Sequence, residues 1–92
     1  MVYINNFYVE KSKRKFKKYD VYEVLKNGKH KYILSFGDNR YQHFKDLIGE
    51  WSHLDHLDKN RRKNYRKRHE GMSGKNIFNP YKAAYWSYWY LW

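Results

Sequence analysis

The chain has no cysteine and only one proline. Without cysteine there is neither a disulfide framework nor a thiolate zinc site, which fits a reducing compartment or a particle assembled in one. No stretch approaches the roughly 20 apolar residues that span a bilayer. The opening Met1-Val2-Tyr3-Ile4-Asn5-Asn6 lacks the cationic start and apolar run of a signal peptide. The expectation is therefore a soluble or peripheral protein. No nucleophile–base pair, phosphate-cradling glycine loop or dinucleotide fingerprint is present, which removes most enzyme classes.

Aliphatic side chains and acids are also scarce. Leu, Ile and Val number 14 against 20 for Phe, Trp and Tyr. The core must then be built from rings, each able to bury about 150–250 Å². Most are tyrosines, whose hydroxyls need partners or a wet edge. Asp and Glu number 9 against 20 for Lys and Arg, leaving a net charge of +11. The excess is concentrated in two blocks, Lys11–Lys18 and Lys59–Arg68, where no acid interrupts the bases. Such a field draws nucleic acid, anionic lipid headgroups or acidic protein surfaces. At 92 residues a single domain, 1–92, buries only roughly 60–65% of its unfolded surface, so stability depends on a dense core or a partner.

Residues 2–9 read as one short strand at a sheet edge, followed by a basic arm through Lys18. Asn27-Gly28 between Tyr19–Lys26 and Lys29–Phe36 signals a hairpin with a two-residue turn. That register places Glu23 opposite Tyr32, Val21 opposite Leu34 and Tyr19 opposite Phe36. Tyr19, Val21, Leu25, Tyr32, Leu34 and Phe36 then share the core face. Asp38 is a candidate N-cap for a helix through Tyr41, Phe44, Leu47, Ile48 and Trp51, loosened or ended at Gly49. A second helix starts at Asp55 or Asp58 and runs to about His69, with Gly71 as its stop. Gly71–Asn76 reads as a loop, and Asn79-Pro80 opens a final helix over Tyr81–Leu91. The expected fold class is α+β, a small antiparallel β-hairpin sheet packed with two or three short helices.

Within the second helix, Lys59, Arg61, Arg62, Lys63, Arg66, Lys67 and Arg68 are candidates for binding phosphate or carboxylate. The arginines offer planar donor forks and the lysines point charges. Tyr65, with few other seam residues beside it, is expected to pack inward. The tail Tyr85–Trp92 is aromatic nearly all round, and one face of a short helix cannot bury every ring. The Tyr81, Ala84, Tyr85 and Tyr88 side is expected on the hairpin, leaving Trp86, Trp89 and Trp92 as partner-docking anchors. His53 and His56, with His69 a helix away, have spacing that could hold a metal, with Asp55 and Asp58 nearby. Capping and hydrogen bonding explain the same residues, and no metal or cofactor is expected. Asp55-His56, Asn64 and His69 are loosely similar to His-Asn-His nucleases. That motif needs a β-hairpin strand where a helix is expected here, so the chain is read as non-enzymatic.

Taken in order, Tyr19-Asp20-Val21-Tyr22 with Phe36-Gly37-Asp38, Ser52-His53-Leu54-Asp55-His56 leading into Arg61–His69, and Asn79-Pro80 with Tyr85-Trp86-Ser87 and Leu91-Trp92 resemble a family of small basic proteins of large icosahedral DNA viruses of algae and protists, with relatives in tailed phages. The resemblance spans Tyr19 to Trp92 and transfers no catalytic residue. It implies a viral origin and a structural place in the virion, as a minor capsid protein contacting major and other minor capsid proteins. The alternative is a basic nucleic-acid-binding or genome-packaging protein. An anionic membrane surface is a further candidate partner, and no small-molecule substrate is expected.

Overall fold

The computed structural model describes residues 2–92. It shows an α+β architecture, with four antiparallel strands in the order β1-β2-β3-β4. These are β1 (Val2–Ile4), β2 (Phe7–Lys11), β3 (Tyr19–Val24) and β4 (His30–Phe36), followed by α1 (Lys59–Ser73) and α2 (Ala83–Tyr90). One sheet face carries α2, and α1 lies against α2. Among the described residues no helix is long and apolar enough to cross a membrane.

The segment read as a single edge strand is a hairpin. Asn5 and Asn6 form its turn, with Ile4 opposite Phe7. Asn5 takes a positive φ of 53°, a left-handed conformation that asparagine tolerates better than most residues. Val2, Ile4, Phe7 and Val9 thereby join the core face, and only the loop between β2 and β3 remains of the expected basic arm.

The β3–β4 turn is one residue longer than Asn27-Gly28 alone implies. The Gly28 N–H donates to the Leu25 carbonyl, and the Leu25 N–H donates to the Lys29 carbonyl. Gly28 has a φ of 82°, so this is a three-residue loop closed by a left-handed glycine. The longer loop pairs Tyr22 with Tyr32 and Val24 with His30. Towards the base of the hairpin Val21 meets Leu34 and Tyr19 meets Phe36, as expected, because a β-bulge leaves Ile33 as the extra residue. The bulge keeps the apolar base on the core. It also turns Tyr32 to the opposite face, correcting the core position expected for it.

The core is a ring lattice. Phe7, Val9, Tyr19, Val21 and Phe36 of the sheet enclose Trp86 and Leu91. The fully buried Trp86 ring lies 5.6 Å from Phe7 and 5.9 Å from Phe36, and its indole N–H donates to the Pro80 carbonyl at 2.7 Å. Tyr81 and Tyr85 pack towards the sheet as expected, Tyr81 against Phe7 at 5.5 Å, but Trp86, expected to face a partner, fills the centre of that contact. Tyr88 is buried on another side, against α1.

The expected helix over Asp38–Trp51 does not form. Gly37 and Gly49 both have positive φ, and the backbone between them finds acceptors elsewhere. The N–H groups of Phe44 and Lys45 donate to the Leu91 carbonyl and that of Leu47 to the Tyr90 carbonyl, at 3.0–3.1 Å. This satisfies carbonyls that the end of α2 leaves free. Asp38 caps a turn instead, accepting from the Arg40 N–H and guanidinium.

A buried polar network fixes the rest of this segment. Lys18 Nζ reaches His43 Nδ1 at 2.7 Å, and His43 Nε2 reaches Asp55 at 2.5 Å. The Tyr19 hydroxyl donates to Asp46, whose carboxylate also accepts from the backbone N–H groups of Ile48 and Trp51. Burial lowers Lys18 to a pKa of about 8 against nearby Asp46, Asp38 and Asp55. Burial first and the Lys18 charge second hold His43 below 6.5. A neutral imidazole fits the geometry, its Nδ1 lone pair accepting from the ammonium while Nε2–H donates to Asp55.

Asp58 is the N-cap of α1, accepting from the N–H groups of Asn60 and Arg61. The helix passes the expected stop at Gly71 and ends at Gly74, whose φ is 54°. Residues Gly74–Phe78 form a 3-10 turn rather than an open loop, and α2 starts later than expected, at Ala83.

Two outcomes follow from these contacts. A Cβ at Gly37 would sit 2.9 Å from Lys18 Cδ and 3.0 Å from Leu91 Cδ1, whereas one at Gly28 would meet nothing within 4 Å. Both positions carry the strain of positive φ, but only Gly37 adds overlap. Urea titration should therefore show Gly37→Ala losing about 2–4 kcal/mol and Gly28→Ala about 1–2 kcal/mol. Equal losses would refute the close approach. Because folding lowers the His43 pKa, the unfolded chain takes up this proton more readily, so the stability it contributes is full above pH 6.5 and is lost as pH falls below it. Melting midpoints should drop between pH 7.5 and 5.5, and His43→Gln should flatten that slope.

Candidate docking face

Helix α1 has no buried residue, and its two long faces do different work. Arg62, Tyr65, Arg66 and His69, at helical three- and four-residue spacing, are half-buried against the tail. Arg62 Nε and Arg66 Nε both donate to the backbone oxygen of Trp92, at 2.8 and 3.0 Å. The Arg62 guanidinium lies 4.6 Å from the Phe44 ring centre, and that of Arg66 lies 4.6 Å from Tyr88. Tyr65 stacks between Trp92, at 4.1 Å and 7°, and His69, at 4.0 Å. Burial pushes the Tyr65 hydroxyl up to about 12, against the pull of Arg68 and a hydrogen bond with Ser87. Arginines and rings thus replace the missing aliphatic seam, with cation–π contact and hydrogen bonding in place of leucine packing.

The opposite face is a cationic ridge. Lys59, Arg61, Lys63, Lys67 and Arg68 are all exposed. Among the described residues none of them forms an ion pair. Arg61 makes one hydrogen bond, to Gln42 at 3.1 Å. Of the seven basic candidates read from the sequence, the structure leaves these five on the surface and commits Arg62 and Arg66 to the fold.

The three tail tryptophans also part ways. Trp86 is core, so its reading as a docking anchor is corrected. Trp92 is half-buried in the Tyr65 stack. Trp89 keeps 39% of its surface exposed and has Phe78 beside it at 6.3 Å. It also shares a small groove with Phe44, Leu47, Trp92, Arg62 and Arg66. Phe78 and Leu47 are 68% and 61% exposed. This apolar patch adjoins the Arg62 and Arg66 side of α1. Sequence reasoning had no signal for Phe78 or for Leu47, which was assigned to a helix that does not exist.

The histidines stand apart. His53 lies by Trp51, His56 packs between Phe44 and Trp92, and His69 stacks on Tyr65. Among the described residues no three His, Asp or Glu side chains converge as a metal cluster. Burial lowers both His56 and His69, in keeping with neutral rings in an aromatic stack. An irregular segment and a 3-10 turn precede Asp55, where a helix was expected.

No protein-family model matches the sequence, and no curated protein or solved structure matches it significantly.

The division of α1 can be checked by chemical denaturation. Arg66→Ala removes a charged hydrogen bond and a ring contact and should lose about 2–3 kcal/mol. Lys63→Ala and Lys67→Ala should stay within about 0.5 kcal/mol of the parent. Comparable losses across both faces would contradict the assignment.

Proposed function

We propose that the chain is a non-enzymatic structural protein of a virus particle, a minor capsid protein of a large DNA virus that fills gaps between larger capsid subunits. The observation that carries this reading is a pair of exposed surfaces on one small domain, the Phe78, Trp89 and Leu47 patch beside the tail-facing side of α1 and, on the other side of that helix, five exposed cations that form no ion pair among the described residues. The ridge steers and orients an acidic protein surface, and the patch supplies apolar anchors for it. The place in the virion rests on the family resemblance of Tyr19–Trp92. An architecture that depends on no disulfide suits assembly in the host cytoplasm or nucleus.

Deleting the tail is a poor test, because Leu91 is core and Trp92 stacks on Tyr65. Leu47→Ser with Phe78→Ser alters two side chains that are mostly exposed and lie outside the core. In particles of the virus that encodes the chain, mass spectrometry should find the parent protein and at least tenfold less of this variant, with melting midpoints matched to within a few degrees. Absence of the parent protein from purified particles would remove the virion role.

A further inference from the structure

The sheet face turned away from α2 carries one tyrosine per strand. Tyr3 on β1 lies opposite Tyr8 on β2, Tyr8 opposite Tyr22 on β3, and Tyr22 opposite Tyr32 on β4. Successive ring centres are 4.9, 6.3 and 5.8 Å apart. His30 adds a fifth ring, 4.7 Å from Tyr8. The row depends on the three-residue turn and the Ile33 bulge, since in the unbulged register Tyr32 would face Glu23 on the core side. Tyr3 and Tyr32 keep 64% and 40% of their surface exposed. The core cluster and α2 lie on the other side of the sheet.

We propose that this row is a base-stacking platform for single-stranded nucleic acid. Four strands at about 4.8 Å spacing make a row about 14 Å long, a length that takes two or three unstacked bases on aromatic side chains. The rings are tyrosine and histidine throughout, with Tyr3, His30 and Tyr32 exposed, Tyr8 and Tyr22 half-buried between them, and the Arg14 guanidinium resting on Tyr32. Any base can stack on such rings without a sequence code.

Cations flank the row at both ends of the strands. The β2–β3 loop contributes exposed Lys13, Arg14, Lys15 and Lys17, with Arg14 over the Tyr32 ring at 4.2 Å, and the β3–β4 turn contributes exposed Lys26 and Lys29. Two carboxylates share this face. Asp20 is tied down by Ser12, Ser35 and Arg14, and Glu10 lies beside the Tyr22 hydroxyl. The cations that meet phosphate are therefore those of the turn and the loop tip. A duplex hides the base faces that such a row reads, so a single strand is the occupant. This inference is independent of the capsid reading, which uses α1 and the opposite side of the molecule.

The test is fluorescence anisotropy of a labelled ten-nucleotide oligothymidine with the full chain. Binding at 50 mM salt should weaken about 100-fold in Tyr3→Ala/Tyr32→Ala, at about tenfold per stacked ring. Tyr3→Phe/Tyr32→Phe should stay within about threefold, because stacking needs the ring and not the hydroxyl. A ten-base-pair duplex should compete at least tenfold less well than the single strand. Lys63→Glu/Lys67→Glu should leave the ratio between the Ala and Phe variants unchanged, which separates this site from the cationic ridge. Should the double Ala variant melt early, Tyr3→Ala alone, on the most exposed ring of an edge strand, carries the comparison at about tenfold. No retention of the oligomer at 50 mM salt, equal binding by the Ala and Phe variants, or equal competition by duplex would overturn the proposal.

Discussion

The stretch from Gly37 to Asp58 holds its shape through one buried chain of side-chain hydrogen bonds. Lys18 to His43 to Asp55 forms one arm, and Tyr19 to Asp46 to the backbone of Ile48 and Trp51 forms the other. The arms start from adjacent residues, Lys18 just before β3 and Tyr19 at its first position, so the strand that anchors the sheet also anchors the loop. The arrangement is unforgiving. A buried ammonium left without its imidazole, or a buried carboxylate without its hydroxyl, costs more than the pair contributes when intact. The remainder of the fold inherits this constraint. The positioned segment supplies the N–H groups of Phe44, Lys45 and Leu47 that close the end of α2, and α2 carries Trp86 into the sheet.

Local patterns in the sequence were sufficient for β3, β4 and α1, though not for the β1–β2 hairpin, which read as one strand. Asn27-Gly28 marked a hairpin between Tyr19–Lys26 and Lys29–Phe36, and of the two starts read for the cationic helix, Asp55 or Asp58, Asp58 is the cap. The failures share a physical cause. Tyr41, Phe44, Leu47, Ile48 and Trp51 do recur at helical spacing, but Tyr41 and Leu47 are largely exposed and the spacing is incidental. What decides the backbone there is a set of contacts to residues far along the chain, from Lys18 to Leu91, which periodicity cannot register. Likewise the Ile33 bulge follows from a turn one residue longer than the Asn27-Gly28 signal implies. That single residue moves Tyr32 from core to surface.

The candidate site was legible in composition and not in detail. The cationic block was plain, yet only the wheel of α1 separates Arg62 and Arg66, which hold Trp92, from the five cations that face outwards. The segments singled out in the sequence from Tyr19 to Trp92 are largely architectural in this structure. Tyr19 bonds Asp46, Gly37 admits Lys18 and Leu91, Trp86 fills the core and Tyr65 stacks on Trp92. Residues with such structural roles say little about a partner, so the functional argument has to come from the surfaces those residues create.

Those surfaces follow from the scarcity of aliphatic side chains. Tyrosine buried at the core edge brings a hydroxyl that must be satisfied, as by Glu70 for Tyr88, and the exposed Tyr81 takes up Glu23 as well, so the rings use part of a small stock of acids. With Asp20, Asp46, Asp55 and Asp58 also committed to local structure, few carboxylates remain to neutralise surface lysine and arginine. The outward charge of the ridge is therefore a consequence of how the interior is built. The same shortage explains why the second sheet face is aromatic rather than salt-bridged. A sheet edged by tyrosine pairs gains cross-strand ring contact without needing acids, and it is left with ring faces that a planar, anionic partner fits better than an aliphatic one.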